Sequence, residues 1–260
     1  MGKTCLECGH FYVVSPSRGQ GERRKVIITK EVVVPDYKAQ ENSIVLEVTQ
    51  EISPVNPREW DNFGKMVCWH PRYILGDKQI NAQYEADGIL LEMLDEKFDL
   101  SEFQKESIRY YAETDVLMRA VSKHTKTVML SLYLYDHSGI TMSASARTFS
   151  MIDSAGWDWG TVGIIYATEK TIKKEFGVTE VTDEVREKAE RLLRSEVYNY
   201  DLYLRGEVYG FRLYNEETGE DIDSCWGFMG DPLKELQSEM RTGVAPEYKH
   251  MVDLLEPCEH

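Results

Sequence analysis

Strand-like and helix-like segments come in blocks along this chain, and that ordering limits the fold more than any single motif does. Alternating or continuous apolar runs read as strands at residues 26–34 and 44–52, and 66–69 is a further short apolar run. Two helical stretches follow, 84–98 and 101–124. The second opens with Ser101-Glu102-Phe103-Gln104, a reciprocal cap in which Ser and Gln each satisfy an amide of the first turn. Strand signals resume at 127–135, 140–144 and 162–167. The longest helix spans 182–204, with Thr182 as its cap and Val185, Ala189, Leu192, Leu193, Val197, Tyr200 and Leu204 mostly on one face. Runs 207–214 and 221–228 form a hairpin around Asn215–Glu220 with Gly219 at the turn. Segments 231–241 and 246–255 read as helical. Strands that do not alternate regularly with helices favour an α+β class over a doubly wound sheet. The expectation is an α+β fold, a mainly antiparallel sheet flanked by helices.

Shifts in composition suggest three parts: an N-terminal appendage with a CxxC (1–43), an α+β core domain (44–230) and a C-terminal helical segment (231–260). A chain of 260 residues that is 42% hydrophobic and 29% charged can bury a real core. No run of eighteen apolar residues appears, so no membrane span is expected. The opening MGKTCLECGH lacks the apolar stretch of a secretory signal. These features set the expectation of a cytoplasmic protein, in a bacterial host cytosol, whose cysteines are reduced or metal-bound. The net charge of −15 is uneven: residues 151–260 hold 24 acidic and 12 basic residues, whereas the first 150 are nearly balanced at −3. That excess argues against direct nucleic-acid binding, which needs clustered Lys and Arg. It is compatible with docking on a basic surface, the alternative being a plain solubility surface.

Residues 133–163 concentrate the chemistry. Asp136, His137 and Ser138 fall in one short loop, Trp157, Asp158 and Trp159 in another, both beside strands. A His in reach of a carboxylate can act as a general base, with Asp136, His137 and Asp158 as the catalytic candidates. Adjacent residues point in different directions, so adjacency alone makes no triad. Asp158 and Asp201 offer the carboxylates of a Mg²⁺ or Mn²⁺ cluster, against a hairpin turn in which Asp136 bonds nearby amides. Trp157, Trp159, Tyr200, Tyr203, Tyr209 and Trp226 pose the choice between a recognition surface and ordinary core. Glu216, Glu217, Glu220, Asp221 and Asp223 make an acidic hairpin, either a contact surface or a solvated turn. Cys5, Cys8, Cys68 and His70 can be read as a tetrahedral zinc set, with free thiols as the alternative. Zinc is the cofactor that this cysteine–histidine set suggests.

Several segments carry a resemblance: Met66-Val67-Cys68-Trp69-His70 running to Arg72-Tyr73 and Leu75-Gly76-Asp77; LYLYDHSG at 132–139; Trp157-Asp158-Trp159-Gly160 with Val162-Gly163; EVYNYDLYLRGEVYG at 196–210; and Cys225-Trp226-Gly227-Phe228. In this order they resemble an uncharacterised group of proteins encoded by bacteriophages and mobile elements, over roughly residues 44–230. In that group the tryptophan segment reads more like WDSGQVG, so Trp159 and Thr161 are departures, and the CxxC region lies outside the shared part. The resemblance implies a phage or mobile-element origin and brings no activity with it. The leading expectation is therefore a phage-encoded accessory protein that binds a host protein, as an acidic inhibitor of a bacterial defence system. Two alternatives stay open. One is a metal-dependent hydrolase of a nucleotide or nucleic acid; the other is a nucleotide-binding sponge built on the same loops.

Overall fold

A computed structural model describes residues 35–234 and 236–258, with the backbone of three short N-terminal strands: β1 (Lys3–Thr4), β2 (Phe11–Tyr12) and β3 (Arg24–Lys25). The strand expected at 26–34 and the Cys5/Cys8 pair lie outside the described residues.

Two five-stranded sheets organise the rest, each in its own compact unit. The described parts of one unit are residues 35–57 and 202–258; the other is built on 58–201. The contacts thus divide the chain elsewhere than at residues 43 and 230. Strands on both sides of position 43 share one sheet, and the C-terminal segment packs on that sheet, because each would otherwise leave an apolar face in water.

The first unit holds β4 (Tyr37–Glu41), β5 (Ile44–Gln50), β12 (Val208–Asn215), β13 (Asp221–Met229) and β14 (Glu256–Pro257), antiparallel throughout in the order β13-β12-β5-β4-β14. Alternation along β5 and β12 turns Leu46, Val48, Phe211 and Leu213 to one face. Helix α7 (Gln237–Gly243) and a 3₁₀ segment (Pro246–Leu254) cover that face with Met240, Met251 and Val252.

The second unit holds most of a 3₁₀ turn (Pro57–Glu59), then β6 (Lys65–Cys68), β7 (Tyr73–Ile74), β8 (Lys78–Gln79), α1 (Gln83–Phe98), α2 (Glu102–Tyr111), α3 (Thr114–Thr125), β9 (Val128–Asp136), β10 (Ile140–Ser143), α4 (Ala146–Ser150), β11 (Trp159–Ala167), α5 (Glu169–Phe176) and, up to Asp201, α6 (Asp183–Arg205). Its sheet runs β10-β9-β11-β6-β8, antiparallel except for the β6–β8 edge. The α+β expectation therefore holds, with two mainly antiparallel sheets in place of one.

On one face Val67, Trp69, Ile164 and Tyr166 meet Leu90 and Leu94 of α1 and Leu117 and Val121 of α3. The neighbouring Ile165 points the other way and, with Leu193 of α6, closes around Gly64. Being covered on both faces is why 162–167 reads as one continuous apolar run.

The single helix expected at 101–124 is two. Ala112 adopts an extended conformation after α2, and the break lets α3 turn Leu117 and Val121 onto α1, while α2 buries no residue. The Ser101–Gln104 reciprocal cap is present on both sides, and Thr182 accepts from the Val185 amide at 3.4 Å. A buried ionic network anchors the start of β6. Arg58 makes a two-pronged contact with Asp77 at 2.7 and 2.8 Å and reaches Glu196 at 3.1 Å, and the carboxylates accept the amides of Phe63, Gly64 and Met66.

Candidate functional site

Three sequence segments meet at one end of the second unit's sheet. Strand β9 turns back into β10 with Asp136 opposite Ile140, and β11 begins alongside with Trp159 opposite Tyr135. The Asp136 amide donates to the Asp158 carbonyl at 2.8 Å, which fixes the DHSG turn against the WDWG turn. A bulge at Thr161–Gly163 sets Val162 so that its carbonyl accepts from the Trp69 amide at 2.8 Å, drawing in the residues that follow β6. The result is an open cleft of ≈ 290 Å³ with Trp69, His70, Arg72, Asp136, Trp157 and Asp158 among its walls.

Its polar groups are ordered. Nδ1 of His70 accepts from the amides of Arg72 and Tyr73, both at 3.2 Å, and the ring stacks on Tyr73. Two donors aimed at Nδ1 place the proton on Nε2 and favour the neutral ring. Burial, and next the Arg72 guanidinium, hold the His70 pKa below its ordinary 6.5, against the opposing influence of Asp136. Arg72 donates to Asp136 Oδ2 at 2.5 Å. Nδ1 of His137 lies 3.0 Å from Asp158 Oδ2, with both side chains substantially exposed.

Between β10 and β11 the chain makes an excursion whose organising residue is Asp153. Its carboxylate accepts the amides of Ala155, Gly156, Trp157 and Asp158, and its carbonyl accepts Trp159 Nε1 at 2.8 Å. The four amides, that of Asp158 foremost, hold the Asp153 carboxyl below the usual carboxylate range. Gly156 completes the turn at φ +71°, a backbone region that disfavours residues with a Cβ. The base of the excursion is aromatic: buried Phe149 stacks on Tyr135 at 5.8 Å and approaches Trp159 at 6.4 Å. Its tip is apolar and open, with Trp157 at 87%, Met151 at 76% and Ile152 at 68% exposure.

The structure thus brings Asp136, His137, Trp157, Asp158 and Trp159 together with His70. Asp201 serves elsewhere: buried on α6, it accepts the Met142 amide at 2.6 Å. Tyr200 is core, its hydroxyl accepting from the Gly76 amide at 3.1 Å. Tyr209, Trp226, Glu216, Glu217 and Glu220 belong to the other unit, so the expected aromatic and acidic surface divides between the two units. There Trp226 lies over Gly210 and is half exposed, and Tyr209 meets Tyr37 edge-on. Glu216 accepts from Gln40 at 2.7 Å, and Asp221 pairs with Arg212 at 2.6 Å. Glu217 and Glu220 are exposed on the turn.

Cys68 is a core thiol packed beside Gly76 and Gly163, and burial pushes its pKa up. Among the described residues no group of three His, Cys, Asp or Glu side chains could hold a metal ion. Sequence reasoning passed over Asp153, Met151 and Ile152. The D-x-A-G-W order, an Asp before a Gly turn, was the available sign.

Fold and cleft together describe an α+β protein with a polar, tryptophan-flanked cleft at one end of an antiparallel sheet. No family model, curated protein or solved structure matches the chain. None of its helices is long and apolar enough to cross a membrane, among the described residues.

Proposed function

We propose that this protein acts by binding another macromolecule, with the 144–158 excursion as its recognition element. The observation that carries the reading is Trp157. A large aromatic left 87% exposed on a turn with four amides tied to one carboxylate is unfavourable for the isolated molecule. It is well suited to a partner's pocket, since the ordering cost of the loop has been met before binding. Met151 and Ile152 extend the apolar contact. The phage and mobile-element resemblance supports an accessory protein that inhibits a host defence system, and the chain's charge of −15 favours a partner with a basic surface.

The test compares the intact chain with Trp157→Ala and Ile152→Asp on beads, exposed to nuclease-treated bacterial lysate. The reading expects a stoichiometric protein retained by the native chain and lost from both variants, with unchanged circular dichroism. Equal retention by all three would show that this surface is not the contact.

The 3.0 Å contact between His137 and Asp158 favours a second reading, a hydrolase in which Asp158 orients His137 as general base. Incubation of a nucleotide panel with native and His137→Ala protein separates the two, because only the hydrolase turns over substrate and loses that turnover in the variant.

A further inference from the structure

Away from the cleft, the second unit has a groove of ≈ 540 Å³, within the range of roughly 300–1,000 Å³ typical of small-ligand sites. Helix α3 supplies one wall, β9 the floor, and α6 contributes Arg186. Its charge runs against the rest of the molecule. In a chain with 45 acidic and 30 basic residues, the groove presents Arg119, Lys123 and Arg186 against the single carboxylate of Asp115.

That carboxylate is already engaged by Arg119 at 2.7 Å. Arg186 is half-buried, and its guanidinium donates to the Ser122 hydroxyl; among the described residues no carboxylate pairs with Arg186 or with Lys123. A guanidinium partly withdrawn from water and matched within the chain by a hydroxyl keeps donors for a ligand, and an anion with two oxygens in a plane fits its fork. Beside these cations lie Met118 and Met129, soft apolar surfaces that adapt to a flat body, with Tyr133 in the same lining.

We infer that this groove binds a phosphorylated small molecule of the nucleotide class, with phosphates on Lys123 and Arg186 and the planar body against Met118, Met129 and Tyr133. The groove shares Ala144, Ser145 and Ala146 with the root of the 144–158 excursion but none of the exposed tip residues Met151, Ile152 and Trp157 that the macromolecular contact rests on, so tip variants test that contact and Lys123 and Arg186 variants test this one.

The experiment is calorimetric titration of the full chain with ADP, pyrophosphate and adenosine, at low and at physiological salt. ADP should bind at one site per chain, more tightly than pyrophosphate or adenosine, and more weakly as salt rises. Lys123→Gln should weaken ADP roughly tenfold, the loss of one charge-assisted hydrogen bond. Arg186→Lys, which keeps the charge and removes the fork, should also weaken it. Lys174→Gln, an equal charge change on exposed α5, should leave it unaltered. No saturable binding of ADP overturns the inference, as does an equal loss in Lys174→Gln. Pyrophosphate binding as tightly as ADP would remove the planar body and with it the nucleotide class.

Discussion

Nδ1 of His137 stands 3.0 Å from Oδ2 of Asp158, a residue 21 positions further along the chain. The contact follows from strand register, since the Asp136 amide and the Asp158 carbonyl join the two turns in the same ladder that sets Tyr135 opposite Trp159. Exposed pairs of this kind contribute at most about 1 kcal/mol, so the stability of the fold does not depend on it. His137→Ala should therefore keep the melting temperature within about 4 °C of the native chain. A larger fall, read by differential scanning calorimetry, would mean that the pair is structural.

Asp153 is predicted to control the shape of the recognition excursion without touching a partner. Asp153→Ala frees four amides and leaves Trp157 in place. Partner affinity should fall several-fold, and limited proteolysis should cut more readily between residues 151 and 158, with the rest of the unit intact. Unchanged cleavage would show that the turn is held by other contacts.

The two glycines that flank the bulge have different jobs. A Cβ at 163 would stand 2.6 Å from the Val67 carbonyl oxygen and 2.9 Å from Cys68 Sγ, and backbone cannot yield as a side-chain tip can. Gly163→Ala should cost about 3 kcal/mol in urea denaturation. Gly160 lines the cleft, with nothing within 4 Å of where its Cβ would be. Gly160→Ala should change stability by less than about 1 kcal/mol while narrowing the cleft. Equal effects at both positions would contradict this division.

His70 makes stability depend on pH in a defined direction. Its pKa in the fold lies below the ordinary 6.5, so on acidification the unfolded chain takes up the proton first. The stability that rests on neutral His70 is complete above about pH 6.5 and declines as pH falls below it. In His70→Asn the side-chain oxygen can still accept the amides of Arg72 and Tyr73. That variant should lose less melting temperature between about pH 7.5 and about pH 5 than the native chain. Parallel curves would show that His70 is not the titrating group.

What could be read along the chain was local. The Ser101–Gln104 cap, the Thr182 cap, Gly219 at the turn of the β12–β13 hairpin and the buried run of β11 all depend on neighbours within a few positions. The residue types therefore carry the signal themselves. The block order of strands and helices, a sum of such local signals, was enough for the α+β class. It did not exclude one helix at 101–124, because the break at Ala112 serves the contact of α3 with α1, which neither segment encodes alone.

The site was legible as ingredients and not as an arrangement. MVCWH, DHSG and WDWG each stood out, yet their meeting depends on β11 pairing with β6 on one side and β9 on the other. Register between distant strands is set by which faces are buried in the finished sheet. The same holds for the two units, since β5 pairs with β12 across more than 150 intervening residues. The cationic groove, too, gathers Arg119, Lys123 and Arg186 from two helices that nothing in the linear charge pattern places together. Sequence alone determined the elements, their caps and the chemistry available. Tertiary structure decided which of those chemistries share a surface, because long-range pairing is chosen by burial of the whole and leaves no mark on any short stretch of chain.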